Sequence, residues 1–128
     1  MLEIQEKFDT TGYEELAERA SGRELHITEA LDGDRPIGYI AYWYGADKTT
    51  VCAYDDGGDL MLCDGLVRSV MFKSVLKGIG AMEFDLAEDK AFDSLRRLRF
   101  LTGESRICQE LDSFMNGCES CKENKKDN

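Results

Sequence analysis

The stretch LCDGLVRSVMFKSVLKGIGAMEFDL, residues 62–86, constrains the fold more tightly than any other part of the chain. From Leu66 to Ile79, apolar residues fall at 66, 67, 70, 71, 72, 75, 76 and 79. That is helical spacing with most of the circumference apolar, as for a helix covered on more than one side. Only the stripe with Arg68, Ser69, Lys73 and Lys77 is plainly polar. Gly78 and Gly80 stop the helix. AMEFDLAE then alternates strictly, with Met82, Phe84 and Leu86 inward and Glu83 and Asp85 outward. A buried helix over about 65–78 that runs into a strand near 81–87 is the second half of a β-α-β crossover, which is right-handed when its strands are parallel.

The upstream half supplies the rest of a sheet. LEIQEKF alternates as a short first strand. TTGYEELAERA comes next as a helix, with Thr10 or Thr11 as its cap and acids in its first turns. RELHITEAL reads as a strand with Leu25 and Ile27 on one face, which puts His26, the single histidine, on the other. DGDRP is a turn, since Gly33 supplies a positive φ and Pro36 cannot continue a ladder. IGYIAYWYG and TTVCAYDD, rich in aromatic and β-branched residues, are strands, and DDGGD ends the meander. DKAFDSLRRLRF closes the pattern as a helix, with Phe92, Leu95 and Leu98 on one face. The order is β-α-β-β-β-α-β-α. It predicts an α+β, mixed fold: a twisted sheet in which a β-meander feeds a β-α-β crossover.

Charge narrows the partners. The 128 residues carry 26 acids against 16 bases, a net of −10. Nucleic acid binders gain affinity from Lys and Arg that neutralise phosphates, so nucleic acid is not an expected partner. The N-terminus MLEIQEKFDTTG is acidic and has no apolar core of the kind a signal peptide needs. No run approaches the roughly 18 apolar residues of a membrane span. The expectation is a cytoplasmic protein without membrane contact.

The element order, with KGIGAMEFDLAEDKAFDSLRRLRF at its end, resembles the N-acetyltransferase (GNAT) superfamily over roughly residues 1–102. Gly78 falls on that family's turn glycine, Phe84 and Leu86 on its strand, and Leu98 and Phe100 on its closing L-x-F. With the cysteine-containing end ELDSFMNGCESC, the chain is similar to a group of small GNAT-like bacterial proteins. The resemblance implies residues 1–107 as a GNAT-like domain and 108–128 as a C-terminal helix and cysteine-containing tail.

It also implies acetyl-CoA, with its pyrophosphate on backbone amides at the start of the long helix. Those amides would be Gly65, Leu66 and Val67, free in a first helical turn with the helix dipole behind them. Typical members place Arg or Gln and then G-x-G or G-x-A there. This chain has MLCDGLVR, keeps only Gly65, and sets Asp64 where its carboxylate can cap the helix. Such a cap competes with a phosphate and repels it. The general-acid tyrosine of many members falls on Leu95, which donates no proton. The remaining candidates for catalysis are Glu83 and Asp85, by analogy with members that activate the amine through a strand carboxylate. Two functions are open: an acyl-CoA-dependent N-acetyltransferase with a degenerate cofactor loop, or a non-catalytic binding or regulatory module that has lost CoA binding and takes a small molecule or protein in the cleft between splayed strands. Tyr39, Tyr42, Trp43 and Tyr44 alternate onto both faces of one strand, and the face left over from the core needs a helix or a second copy, so a homodimer is also expected.

Five cysteines remain. Cys52 and Cys63 sit among apolar neighbours and read as small core residues. Cys118 and Cys121 form a C-x-x-C, the spacing of a metal knuckle, a redox pair or an unliganded thiol pair. With Cys108 they make a candidate zinc or iron site, one ligand short of a structural zinc centre. Leu111 and Phe114 predict a helix from Cys108 onward, and a straight helix would carry Cys108 away from the pair.

Overall fold

The computed structural model describes residues 2–115. Ten elements run in order: β1 (Leu2–Glu6), α1 (Glu14–Ala20), β2 (His26–Asp32), β3 (Arg35–Tyr44), β4 (Thr49–Asp55), α2 (Leu60–Leu76), β5 (Ala81–Phe84), α3 (Ala91–Arg97), β6 (Ile107–Gln109) and α4 (Leu111–Met115). The strands form one six-stranded sheet in sequence order. Only β4 and β5 are parallel, joined through α2; the other neighbours are antiparallel. This is the expected meander and crossover, with β6 added at the far edge.

The central strands are buried on both faces, and their alternation sorts side chains between two cores. Ile27, Tyr39, Ala41, Trp43 and Cys52 pack with Leu16, Ala17 and Ala20 of α1. Ala30, Ile40, Tyr42 and Val51 pack with α2 and with Phe92 and Leu95 of α3. The second aromatic face of β3 is thus covered by α1 of the same chain. Val67, Val70 and Met71 are fully buried and Val75 is half-buried, as a helix covered on more than one side requires.

Five expectations need correction, the first being the cap of α1, which is Tyr13, with no side-chain cap hydrogen bond, rather than Thr10 or Thr11. The long helix begins at Leu60 rather than near 65, and its cap is Asp59 rather than Asp64. Apolar Leu60, Met61, Leu62 and Cys63 extend the helical stripe backwards, and the extended backbone of Asp59 aims its carboxylate at the first turn. Asp64 lies one turn inside and pairs with Arg68 at 3.0 Å. Pro36 belongs to β3, opposite Leu31, because a register shift between Ala30 and Leu31 leaves Ile37 as the bulged residue. Cys108 does not start a helix; it lies in β6 opposite Met82. The division at 107/108 therefore falls inside a strand, and Leu111, fully buried, joins the same core as α2.

Candidate functional site

The β4–α2 junction, where the resemblance puts a pyrophosphate, is filled by the chain's own carboxylates. Asp55 Oδ1 accepts from the Gly57 amide at 2.9 Å, and Asp56 Oδ1 from the Gly58 amide at 2.9 Å. The positive φ of both glycines (62° and 81°) folds the loop back so that these short Asx contacts close. Asp59 Oδ1 accepts from Met61 at 2.9 Å and Leu62 at 3.3 Å. The Asp59 amide donates to the Asp56 carbonyl and the Cys63 amide to the Asp59 carbonyl. Gly38 permits the approach of this junction to β3: a Cβ there would sit 2.7 Å from the Asp55 carbonyl oxygen and 3.0 Å from Leu62 Cδ2.

The amides of Gly65, Leu66 and Val67 are elsewhere. They lie in the second turn of α2, inside the helix's own hydrogen-bond ladder. A Cβ on Gly65 would meet Ile4 of β1 at 3.1 Å. The expected competition between carboxylate and phosphate has its geometric basis one turn earlier, with Asp59 in the role assigned to Asp64.

Beside the junction, β4 and β5 part. Their pairing runs Thr49 to Met82, Thr50 to Glu83 and Val51 to Phe84, and ends with the Asp85 amide donating to the Val51 carbonyl. A bulge at Cys52 then turns β4, so that Cys52 and Ala53 both pack towards α1. On the α3 side the gap is bridged by Tyr54, whose hydroxyl donates to the Ala91 carbonyl. What remains is a cavity of about 220 Å³ between Tyr54, Asp55, Asp56, Glu88, Lys90 and Ser94. Burial, with the nearby Cys63 and Asp56, raises the Tyr54 hydroxyl above its ordinary pKa. Burial and the Asp56 charge push the Cys63 thiol up to about 12. Leu95 is fully buried. At this junction the first free amides are engaged by three carboxylates, and Tyr54 closes the gap beside them.

Glu83 and Asp85 line a different space, on the α1 face. Trp43 and Thr50 are register partners, as are Thr50 and Glu83, so the three form a row across β3, β4 and β5. They border a groove of about 500 Å³ together with Arg23, Lys48 and Asp85. Glu83 is paired with Lys48 at 2.6 Å. The structure thus brings Glu83 and Asp85 together at one groove, with Glu83 already engaged by a cation.

A cluster that the sequence reading missed lies under the second half of α2. Lys73 Nζ reaches Glu6 at 3.1 Å and Thr28 Oγ1 at 3.2 Å, and Thr28 Oγ1 is 2.9 Å from the Tyr42 hydroxyl. His26 Nδ1 is 2.7 Å from the same Glu6 carboxylate, and its ring stacks on Tyr42. His26 is therefore no isolated surface histidine. Partial burial acts to raise the Glu6 pKa, but hydrogen bonds from His26 and Lys73 outweigh it and hold the carboxyl below its ordinary range. Burial pushes the Tyr42 hydroxyl up to about 12. The available signal was Lys73, a cation on the polar stripe of α2 between Phe72 and Ser74.

Of the candidate metal ligands, Cys108 is buried in the sheet, where burial pushes its thiol up to about 11. Cys118 and Cys121 lie outside the described residues. Among the described residues no group of three His, Cys, Asp or Glu side chains is placed to hold a metal, and no helix is long and apolar enough to cross a membrane.

No protein-family model matches the sequence, and no curated protein matches it significantly. Solved structures do match. The ribosomal-protein-S18-alanine N-acetyltransferase from Escherichia coli is similar at a TM-score of 0.61 and 12% identity, over 86% of this chain and 94% of that one. A protein assigned to the GNAT family of acetyltransferases, from Desulfovibrio desulfuricans, is similar at 0.57 and 13%, over 77% and 81%. The PaiA N-acetyltransferase from Thermoplasma acidophilum, in complex with coenzyme A, is similar at 0.52 and 15%, over 73% and 65%. Identities this low speak for the fold alone, and the fold is that of the GNAT acetyltransferases.

Proposed function

We propose that the chain is a GNAT-fold module that binds a ligand without using acyl-CoA. The observation that carries this reading is the β4–α2 junction, where the amides of Gly57, Gly58, Met61 and Leu62 already donate to Asp55, Asp56 and Asp59. A pyrophosphate would have to displace those carboxylates and then sit among them, and like charges at such distances repel. The fold's usual use of this helix start for an anion has been replaced by an internal one. Calorimetric titration of the full chain with acetyl-CoA tests it. No saturable binding below about 1 mM is expected; a dissociation constant near 10 µM, about −7 kcal/mol, would overturn the reading.

The second reading is an acyl-CoA-dependent N-acetyltransferase with a degenerate loop. The divergence of β4 and β5 beside two carboxylates, Glu83 and Asp85, favours it, and one structural neighbour was solved with coenzyme A. It requires release of free thiol from acetyl-CoA in the presence of an amine, and loss of that release in Glu83→Gln.

A further inference from the structure

The outward face of α2 carries large apolar side chains that the core does not use. Met61 is 75% exposed, Phe72 54% and Leu76 71%. At 3.6 residues per turn these three, with Gly65, fall within about 60° of one another around the helix. Arg68 and Ser69 flank the middle of this stripe. Its members are placed symmetrically about a point between those two residues: Met61 and Leu76 lie equally far from it, and so do Gly65 and Phe72. Gly65 leaves a notch, bordered by Ile4 of β1, whose Cδ1 would lie 3.1 Å from a Cβ at residue 65. The charges beside the stripe are closed in pairs, Asp64 with Arg68 at 3.0 Å and Lys73 with Glu6 at 3.1 Å. The stripe is therefore apolar and locally neutral in a chain of net charge −10.

We propose that this stripe is the interface of a homodimer, in which two copies of α2 pack antiparallel across a two-fold axis that passes between Arg68 and Ser69. A two-fold contact pairs residue i with j and j with i. Here the axis sets Met61 of one copy level with Leu76 of the other, and Phe72 level with Gly65, twice over. Each Phe72 ring enters the notch at Gly65 as a knob enters a hole, at a helix separation of about 8–10 Å. Other arrangements lose this match. A parallel pair sets Phe72 on Phe72 and leaves the two notches facing each other. A slide of one turn in either direction carries Leu76 or Met61 past the end of the partner's stripe. Residues 116–128, which follow α4, contain no Val, Leu, Ile, Met or aromatic residue with which to cover it. The second aromatic face of β3 is taken by α1, so a second copy finds its place on α2 instead. Fifteen residues of helix span only about 22 Å, short of the roughly 800 Å² per partner of a standard interface, which makes the dimer a weak, reversible one.

Sedimentation equilibrium of the full chain from about 1 to 500 µM tests the interface, and a dimer with a dissociation constant below about 100 µM is expected. Phe72→Ser should weaken it at least roughly tenfold, as should Met61→Glu or Leu76→Lys alone. The chain that carries both Met61→Glu and Leu76→Lys should dimerise at least roughly tenfold more tightly than either single variant, because the new carboxylate of each copy meets the new ammonium of the other. Within one chain positions 61 and 76 are about 22 Å apart, so this recovery cannot arise inside a monomer. Thermal midpoints at about 1 µM, where the chain is monomeric, should be unchanged in every variant. The proposal fails if the full chain is still monomeric at about 500 µM. A monomer whose midpoint falls by several degrees in Phe72→Ser would give the stripe to the chain's own C-terminal residues, which also overturns it. So does a dimer that is indifferent to Phe72→Ser or shows no recovery in the double variant, since its interface lies elsewhere.

Discussion

At the scale of single residues, position along α2 decides what an aspartate does. Asp59 and Asp64 both precede apolar runs, and in the sequence Asp64, next to Gly65, is the more conspicuous cap. Only the path of the chain through Gly57 and Gly58 puts Asp59 at the helix start. Asp59→Ala should cost about 1 kcal/mol in a denaturant titration, as helix caps do, while Asp64→Ala removes a half-buried i,i+4 pair worth about 0.5 kcal/mol or less. Equal losses from the two would refute the assignment. Glu6 makes a second test. Its folded pKa lies below its ordinary value of 4.5, so its share of the stability is present above pH 4.5 and is lost as pH falls through the folded value. Glu6→Gln should therefore flatten the acid side of the stability profile and leave its neutral side parallel to wild type. An acid limb unchanged in the variant would show that His26 and Lys73 do not hold this carboxylate.

At the scale of elements, how much was legible depended on how local the cause was. The crossover was readable because the spacing of Val67, Val70 and Met71 and the alternation of Met82, Glu83 and Phe84 are set by neighbours a few residues apart. Met71, fully buried in the larger core, should cost about 2–5 kcal/mol as alanine. Phe72, 54% exposed on the outer side of the same helix, should change stability by about 0.5 kcal/mol or less. Reversed magnitudes in paired denaturation curves would mean the helix faces are misassigned. The Glu6–Lys73 contact joins residues 67 positions apart and has no pattern in the sequence. Nor has the bulge at Cys52, which needs the register of β3 against β4 to exist at all. Glu83 and Asp85 could be picked out by alternation, but their shared groove with Arg23 arises only once α1 is laid on the sheet.

At the scale of the whole molecule, the question is how many independent parts the chain contains. A division after residue 107 treats residue 108 onward as an appendage. The sheet argues otherwise. β6 pairs with β5 through Met82 and Cys108, and the Leu111 amide donates to the Gly80 carbonyl. Cys108 is 3% exposed and Leu111 is fully buried, both in the core that holds α2 and α3. A chain ending at Ile107 loses both side chains and uncovers the edge of β5. Burying one leucine contributes about 1.5–3 kcal/mol, and the opened cavity adds to the loss. Against the roughly 5–15 kcal/mol typical of a domain, that is a large fraction. The truncated chain should unfold at a clearly lower denaturant midpoint, by at least about 2 kcal/mol relative to the full chain. Leu111→Ala in the full chain should lose at least about 2 kcal/mol by itself, which separates loss of this side chain from loss of the residues beyond it. A truncated chain with an unchanged midpoint would restore the boundary at 107 and make the C-terminal part an appendage. The larger expected loss makes β6 and α4 a working part of the sheet that carries Glu83 and Asp85.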